Sequence, residues 1–344
     1  LTGNKCLVDT FDRNFQFNVE HVSLAKLADI FLVAPASADV IGKIANGIAD
    51  DMLTTTIMAC KCPKLISPAM NTNMFTNPIV QDNLKKLEHY GYEIIQPDSG
   101  YLACGDTGAG KMPSEQVLLN YILRTIAKDK DMTGIKLTVT AGPTREKLDP
   151  VRFLSNNSTG KMGYAIAKMA MLRGADVTLI SGKVSLEPVP FVKMVDIVSA
   201  EDMYNAVIKS AKDADIIIKA AAVADYRPSD VSDEKIKKKD GDMSIPLERT
   251  KDIIGTLGSS KRDGLFLCGF SMETEHMLDN SKVKLTKKNL DMIVANNVKV
   301  AGAGFGTDTN VVTVITKDAV EELPMMSKEE VADALLDRIM KARQ

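Results

Sequence analysis

The sequence has few cysteines and no spacing that would pair them. Of its five cysteines only Cys60 and Cys62 lie close together, and one intervening residue fits neither a CxxC redox motif nor the usual zinc spacing. The sequence also lacks a signal-peptide pattern and any apolar run near the ~18 residues that suggest a membrane span. We therefore expect free thiols, a cytoplasmic location and no membrane partner.

Charge of one sign is not in excess either, since 43 Lys and Arg residues are balanced by 45 Asp and Glu residues, for a formal net charge of -2. This balance excludes a broad field that would attract nucleic acid or anionic lipid. Small-molecule partners are expected instead. The sequence has neither an acidic tail nor a long disordered arm, which disfavours the alternative of a non-catalytic regulator.

The G-x-G-x-x-G fingerprint of a dinucleotide site is missing. After the strand predicted at 136–140, Gly142 stands alone and the next glycine is Gly160. An NAD(P)-dependent oxidoreductase is therefore an alternative that the sequence disfavours.

Apolar runs of strand length alternate with longer segments of helical period, the pattern of βαβ units around a largely parallel sheet. The charged segment from Lys128 to Gly134 predicts a linker. We expect an α/β protein with two Rossmann-like doubly wound domains, residues 1–130 and 135–344, and largely parallel sheets.

The predicted elements of the first domain are strands after Asp29, at 64–68 and at 93–95, and helices at 40–60, 78–90 and 114–128. Those of the second domain are strands at 136–140, 176–180, 193–198, 215–219, 265–270 and 292–295, helices at 163–173, 200–211 and 273–285, and a closing strand and helix.

The segment 141–163, AGPTREKLDPVRFLSNNSTGKMG, places small residues after the first strand of the second domain and again before a helix. Carboxyl ends of parallel strands and amino ends of helices both favour anions, through backbone amides and the helix dipole. The segment therefore predicts an anion-binding crevice bordered by a polar loop. A surface loop with a helix cap at Ser158 or Thr159 is the alternative.

Three ordered blocks, the segment 141–163, Ala220-AAVADYRP with Glu234-KIKKK, and Lys287-KNLDMIVAN, resemble the phosphopantothenate–cysteine ligases. These enzymes form the ligase half of bacterial coenzyme A biosynthesis bifunctional proteins. The resemblance implies that the carboxylate of 4'-phosphopantothenate attacks CTP to give an acyl-cytidylate, and that the amine of cysteine then displaces CMP. It also implies Mg²⁺, because both steps gather negative charge.

By position, the resemblance implies that Asn156 stabilises the acyl-cytidylate and that Arg152 is needed for activity. Lys284 and Lys288 lie one helical turn apart, and like charges at that spacing repel without an anion between them, which agrees with a phosphate site. The implied CTP contacts are Asp225, Lys235, Lys251, Asp252, Ile253, Ile254, Phe270, Lys284 and Lys288.

In the first half, Glu20-HVSLAKLAD, Ala34-PASADVIGKIANGIADD, Pro68-AMNTNMF and Ala103-CGDTGAGKM resemble the flavin-dependent cysteine decarboxylases. The resemblance implies FMN-dependent conversion of 4'-phosphopantothenoylcysteine to 4'-phosphopantetheine. His21 is then the active-site histidine, Asn71 binds the substrate carboxylate, and Cys104 donates a proton from a flexible glycine-rich flap.

The same resemblance implies that Ser37, Ala38 and Asp39 contact FMN, and that the protein is a homo-oligomer. Family members begin with a strand and a glycine-rich turn for the FMN phosphate, and this sequence shows no such pattern before His21. We therefore expect the first domain to lack its N-terminal βαβ unit and to bind flavin poorly. A ligase with an inactive flavoprotein-like remnant is the corresponding alternative.

Overall fold

The computed structural model describes residues 20–101, 107–237, 243–272, 277–296, 304 and 306–343. The contacts between residues divide the chain into two compact units, Leu1–Lys128 and Asp129–Gln344. Each unit contains both helices and strands.

The first unit contains a parallel sheet in the order β1-β2-β3 and a separate antiparallel hairpin of β4 and β5. Its elements are α1 Glu20–Leu27, β1 Phe31–Ala36, α2 Ala38–Ala45, α3 Met52–Ala59, β2 Lys64–Pro68, α4 Thr72–Phe75, α5 Pro78–His89, β3 Glu93–Ile94, β4 Asp98–Tyr101, β5 Thr107–Lys111 and α6 Glu115–Ile126.

The single helix predicted at 40–60 is wrong, because the structure has two helices there, α2 and α3. Gly47 follows α2 with a φ of 71°, a conformation that suits glycine and ends a helix. Asp51 then starts α3, since its side chain accepts a hydrogen bond from the N–H of Thr54 at 2.7 Å. These local turn and cap signals outweigh the continuous apolar periodicity.

The second unit is built around one large sheet with the strand order β10-β9-β6-β11-β14-β15-β16-β17. Its elements are β6 Lys136–Ala141, β7 Arg145–Lys147, β8 Phe153–Ser155, α7 Lys161–Leu172, β9 Asp176–Ser181, β10 Lys193–Asp196, α8 Ala200–Ser210, β11 Ile216–Lys219, β12 Tyr226–Pro228, β13 Leu247–Arg249, α9 Ile253–Ser259, β14 Phe266–Met272, α10 Met277–Lys287, β15 Met292–Asn296, β16 Thr309–Thr316, β17 Val320–Ser327 and α11 Lys328–Ala342.

The strands from β10 to β15 are parallel, and β16 and β17 join them antiparallel. Numbered by their order along the chain, the parallel strands follow the Rossmann order 3-2-1-4-5-6, which reverses direction between β6 and β11. The prediction of a Rossmann-like α/β fold with a largely parallel sheet is confirmed.

Both faces of this sheet are covered, and strand β11 shows how. Ile216 and Ile218 are buried in the core cluster that contains residues of α7 and α11, while Ile217 is buried in the cluster that contains residues of α8 and α9. Successive side chains of a strand point to opposite faces, so a continuous isoleucine run is what a strand between two helical layers requires.

Two predicted segments at either end of the second unit need correction. The single closing strand is a hairpin of β16 and β17, because Thr316 and Ala319 form a tight turn with an N–H to carbonyl bond of 2.9 Å. The long loop after β6 contains a short hairpin of β7 and β8. The strands β7 and β8 have three residues each, which is too short for a detectable periodicity, whereas β17 is largely exposed and lacks the buried apolar run of β16.

The segment predicted as a linker is packed onto the second unit. Arg173, at the end of α7, is buried and forms ion pairs with Asp131 and Asp337, and Met132 is fully buried. The Asp131 partner raises the pKa of Arg173 further, despite the opposing effect of burial. The charges of this segment therefore hold it against α7 and α11.

Close packing between α7 and β6 gives a first prediction. A Cβ atom at Gly163 would lie 2.6 Å from Ala141 Cβ and 2.8 Å from the carbonyl oxygen of Thr140. Gly163→Ala should therefore lower the free energy of unfolding by about 1–3 kcal/mol, the usual cost of overpacking. Denaturant-induced unfolding measures the change.

The matched control is Gly42→Ala in α2, where the nearest atom to the new Cβ is 3.8 Å away. There the higher helix propensity of alanine should stabilise the protein by about 0.5–1 kcal/mol. Stabilisation of similar size by both substitutions would contradict the close approach of α7 to β6.

Candidate functional site

The carboxyl ends of β6 and β11 are joined by backbone hydrogen bonds between the loops that follow them. Ala222 donates to the carbonyl of Gly142 at 3.0 Å, and its own carbonyl accepts from the N–H of Thr144 at 3.2 Å. The Thr144 hydroxyl accepts a further bond from Ala224 at 3.0 Å. These bonds fix both loops at the point where the strand order reverses, which is where doubly wound sheets bind ligands.

Glycines allow the start of α7 to reach this point. Gly142 and Gly160 have φ values of 72° and 78°, and a Cβ atom at Gly160 would lie 3.3 Å from the backbone nitrogen of Gly142. Gly160 caps α7 without any side-chain hydrogen bond from a described residue. The first N–H groups of this twelve-residue helix therefore face the same edge of the sheet as the strand ends.

A polar cavity of about 320 Å³ lies at this edge. It is lined by charged and polar side chains from the ends of β11, β13 and α10 and from the residues before α9. The lining residues are Lys219, Val223, Asp225, Tyr226, Arg249, Thr250, Lys251, Asp252, Ile253 and Lys288. Five residues predicted as CTP contacts are thus brought together: Asp225, Lys251, Asp252, Ile253 and Lys288.

Two of the four cations that line the polar cavity, Lys251 and Lys288, have carboxylate partners. Lys288 Nζ lies 2.9 Å from Asp252 Oδ2, and Lys251 Nζ lies 2.7 Å from Glu201 Oε1. Burial opposes ionisation of Asp252, but the Lys288 ammonium and the N–H of Gly255 outweigh it, so the pKa of Asp252 is lowered. A bound phosphate would therefore have to compete with Asp252 for Lys288.

Lys219 is a cavity residue that the sequence interpretation missed. It is the last residue of β11 and half-buried, and its ammonium forms no hydrogen bond or ion pair with any residue in the described ranges. Burial lowers the pKa of Lys219, and the nearby charge of Lys288 lowers it further. The signal was a lysine directly after three buried isoleucines, at a strand end that faces the predicted crevice.

A second cavity of about 110 Å³ lies beside the first residues of α7. Phe270, a predicted CTP contact, lines it together with Ala222 and Asn296. Lys284 lies close by, with its Nζ atom 3.5 Å from the hydroxyl of Ser271, which also lines this cavity. Lys284 in α10 and Lys288 directly after it therefore lie near different cavities.

Arg152 is held by Asp149 and in turn holds the segment that carries Lys235. Arg152 Nη2 donates to Asp149 Oδ2 at 2.6 Å and to the carbonyl of Ile236 at 3.0 Å, and Asp149 Oδ2 accepts from the N–H of Ile236 at 3.1 Å. The Arg152 guanidinium keeps the pKa of the Asp149 carboxyl well below its usual range. Lys235 itself is exposed and lines neither cavity described above.

The side chain of Asn156 is accessible to a ligand, whereas the side chains of Ile253 and Ile254 are not. Asn156 is exposed, and its Nδ2 donates to the carbonyl of Ala222 at 3.1 Å, which places it beside the second cavity. Ile253 and Ile254 are 2% and 5% exposed and pack in the core of the second unit. Only their backbone atoms are available to a nucleotide.

In the first unit, the predicted FMN contacts lie at the carboxyl end of β1. The hydroxyl of Ser37 caps α2 by accepting from Val40 at 3.3 Å, and Ala38 is the first residue of that helix. Asp39 is exposed and lies 3.4 Å from Lys43. The small residues here leave the backbone accessible to a phosphate or a flavin ring, so this end of the sheet fits a flavin.

Asn71 lies next to strand β5. Its Oδ1 atom accepts from the N–H of Asn73 at 2.8 Å, while the N–H of Met70 donates to the carbonyl of Gly110 at 3.0 Å. A Cβ atom at Gly110 would lie 2.1 Å from the Met70 carbonyl oxygen. The glycines predicted to form a flap therefore permit close strand contact in the part that is described.

The remaining predicted residues of the first unit are not brought to this site by described contacts. His21 is half-buried on α1, which packs against α3. Cys104 lies outside the described residues. Cys60, Cys62 and Cys268 are free thiols, as predicted for them.

The described residues contain no group of three or more His, Cys, Asp or Glu side chains that could hold a metal ion. Among them, no helix is both long and apolar enough to cross a membrane.

Each of the two units matches a known protein family. Residues 132–342 match the family described as the DNA/pantothenate metabolism flavoprotein C-terminal domain, and residues 1–127 match the flavoprotein family. The chain is 46% identical over 343 residues to the coenzyme A biosynthesis bifunctional protein CoaBC of Bacillus subtilis, covering 98% of this chain and 84% of that protein.

A further CoaBC protein, from Haemophilus influenzae, is 40% identical and covers all of this chain and 86% of its own length. A cysteine/cysteine sulfinic acid decarboxylase from an unknown prokaryotic organism is 42% identical, covering 99% of this chain and 96% of that one. The crystal structure of the C-terminal domain of a CoaBC protein superposes with a TM-score of 0.54 at 44% identity, over 62% of this chain and 97% of that one.

The chain therefore belongs to the family of coenzyme A biosynthesis bifunctional proteins, and the family predicted from the sequence is confirmed. It is a bifunctional enzyme of coenzyme A biosynthesis with a flavoprotein domain. The alternative of an NAD(P)-dependent oxidoreductase is not favoured by these similarities.

The Asp149 anchor gives a second prediction. Asp149→Asn removes the charge that pairs with Arg152, and we expect it to lower the free energy of unfolding by about 1–3 kcal/mol. Because the folded-state pKa of Asp149 is lowered, its contribution is present above its ordinary pKa and disappears only as the pH falls through the lowered value. The loss should therefore stay constant between pH 5 and pH 8, within about 0.3 kcal/mol.

Denaturant-induced unfolding at several pH values measures this loss, and limited trypsin digestion reports whether the segment near Lys235 is released. Asp230→Asn, which changes an exposed carboxylate, is the matched control. Unchanged stability together with unchanged cleavage near Lys235 would show that Asp149 does not anchor this segment.

Proposed function

We propose that the second unit is a CTP-dependent phosphopantothenate–cysteine ligase whose site is the edge formed by the carboxyl ends of β6 and β11. The carboxylate of 4'-phosphopantothenate attacks the α-phosphate of CTP, which releases pyrophosphate and forms an acyl-cytidylate. The amine of cysteine then attacks the acyl carbon, and CMP leaves. The observation that supports this proposal most is the lysine-lined polar cavity at this edge in a chain of this family, with Asn156 held by the carbonyl of Ala222 beside the neighbouring second cavity.

The polar cavity suits the phosphates of CTP because its cations come from several rigid elements. Lys219 ends a central strand and Lys288 directly follows a helix, so the backbone that carries each ammonium is already in place when the nucleotide binds. Mg²⁺ would neutralise part of the phosphate charge, and such an ion usually needs only one or two protein carboxylates. Asp225, exposed at the same cavity, is our candidate for that carboxylate.

Asn156 and Arg152 are assigned different roles. The amide of Asn156 is held by the carbonyl of Ala222, so it can donate to the acyl oxygen where negative charge develops. Arg152 holds the segment of Lys235 through Ile236, which suggests that it acts by positioning that segment near the phosphates. The remaining contacts, Phe270, Lys284 and the backbone of 251–254, are carried over from the family resemblance.

A homo-oligomer is part of the proposal as well. Apolar side chains are exposed on both small hairpins of the second unit, with Phe153 46% and Leu247 49% exposed. Such side chains on neighbouring hairpins favour contact with a second copy of the chain. The cytoplasmic location follows from the free thiols and the expected substrates, and it stays a prediction.

The ligase proposal is tested by pyrophosphate release. The protein should release pyrophosphate from CTP only when 4'-phosphopantothenate is present, and should form the cysteine amide only when cysteine is added too. Asn156→Ala should cut amide formation by ~10²-fold or more while leaving CTP affinity within about twofold, because one transition-state donor is lost.

The control for this experiment is Lys212→Ala, an exposed residue in the turn that follows α8. No pyrophosphate from folded wild-type protein would refute the ligase proposal. A parallel loss of CTP affinity and of activity in Asn156→Ala would instead show that Asn156 binds the nucleotide.

For the first unit we propose FMN-dependent decarboxylation of 4'-phosphopantothenoylcysteine. When bound, FMN would supply the redox chemistry, in which a hydride is removed from the cysteinyl group and one is returned at the end. Ser37, Ala38 and Asp39 would contact the flavin, Asn71 would bind the substrate carboxylate, and His21 would belong to the active site. Cys104 would donate the proton that accompanies the returned hydride, so that carbon dioxide and 4'-phosphopantetheine are the products.

Replacement of the proton donor separates these steps. Flavin-loaded Cys104→Ser protein should release about one carbon dioxide per site and form no 4'-phosphopantetheine, because the final reduction lacks its proton. Cys62→Ser should behave as wild type. Normal product from Cys104→Ser, or faster decarboxylation of free cysteine than of the phosphopantothenoyl substrate by wild-type protein, would contradict the proposal.

A further inference from the structure

Lys219 has a setting unlike that of the other lysines of the polar cavity. It ends the central strand β11, whose backbone is paired on both sides, with Lys219 opposite Thr140 of β6 and Gly269 of β14. The side chain of Lys219 therefore extends into the cavity from a fixed backbone position. Lys251 and Lys288 reach the same cavity from loops and a helix end, and both have carboxylate partners.

The charged groups that surround Lys219 come from three elements. Asp225 follows β11, Asp252 precedes α9, and Lys284 and Lys288 belong to the end of α10 and the residue after it. The two lysines disfavour the charged form of Lys219 and the two carboxylates favour it. Asp252 is engaged by Lys288, and among the described residues no ion pair joins Lys219 to Asp225 or to Asp252.

An unpartnered ammonium in a half-buried position costs free energy, and it can relieve this cost by releasing its proton or by gaining an anion. A nucleotide polyphosphate is the anion that this cavity can accept. We propose that Lys219 is a phosphate-binding residue of the nucleotide site, and that the protein takes up a proton at Lys219 when the polyphosphate binds. This inference rests on the proposed function for the identity of the nucleotide.

The direction of the pH effect follows from the lowered pKa of Lys219. In the unliganded protein, the amine is neutral above that pKa, and binding must first recover the proton. The affinity for polyphosphate should therefore fall as the pH rises through this range. An arginine at the same position would stay charged throughout, because its guanidinium does not lose a proton in proteins.

Isothermal titration calorimetry with Mg²⁺-CTP, and separately with inorganic triphosphate, tests the inference. Titrations in buffers with different ionisation enthalpies count the protons taken up. The wild-type protein should take up a fraction of a proton, and Lys219→Met should bind both ligands about tenfold more weakly with less uptake. Lys219→Arg should bind nearly as tightly as wild type with that uptake abolished and its affinity flat with pH.

Lys209→Met removes an exposed lysine of α8 and should leave both affinity and proton uptake unchanged. Thermal unfolding of Lys219→Met without ligand shows that the variant is folded, and its midpoint should equal or exceed that of the wild type. Wild-type affinity in Lys219→Met, or proton uptake that persists in Lys219→Arg, would overturn the inference. Binding of inorganic triphosphate but not CTP would refute the proposed nucleotide and leave the role of Lys219 intact.

Discussion

The bonds that tie Ala222 to Gly142 and Thr144 are the interaction on which the second unit depends. They hold two loops together where the strand order reverses, and they require glycine at positions where any side chain would collide. Asn156, the residue proposed to bind the acyl group, also donates to the carbonyl of Ala222. Its position is therefore fixed by the same backbone group that joins the two loops. The fold and the site are thus fixed by one small set of backbone contacts.

Charge at this edge of the sheet is balanced internally before any ligand arrives. Lys288 with Asp252, Lys251 with Glu201, and Arg152 with Asp149 are matched pairs. An anion that binds here must compete with these carboxylates for their cations and leaves a carboxylate without its partner. Lys219 differs from Lys251 and Lys288 because its ammonium has no carboxylate partner among the described residues.

The strands and helices of the second unit are predictable from the sequence because helices cover both faces of its sheet. Continuous buried runs such as Ile216–Ile218 leave little doubt about a strand, and the strand order follows from the connections between strands and helices. Short hairpins such as β7–β8 escaped prediction, since a pair of three-residue strands has no periodicity to detect. The break between α2 and α3 is hard to predict because the apolar periodicity continues across it. Only Gly47 and the capping residue Asp51 signal the break.

For the site, a linear motif predicts which residues belong together but not what each one already contacts. The motif led to Asp252 and Lys288, whereas their ion pair appears only when α9 and α10 meet. The motif includes Ile253 and Ile254 but does not show that their side chains are buried in the core. Lys219 was missed for the opposite reason, since a lysine that follows a buried strand looks like a surface residue until its neighbours are known.

The most direct measurement of the central claim is a crystal structure of the protein soaked with CTP, Mg²⁺ and 4'-phosphopantothenate in the absence of cysteine. The account predicts a cytidylate whose phosphate lies in the cavity of Lys219 and Lys288, with its acyl oxygen within hydrogen-bonding distance of Asn156. Nucleotide density at the amino-terminal edge of the sheet, or in the first unit alone, would contradict it.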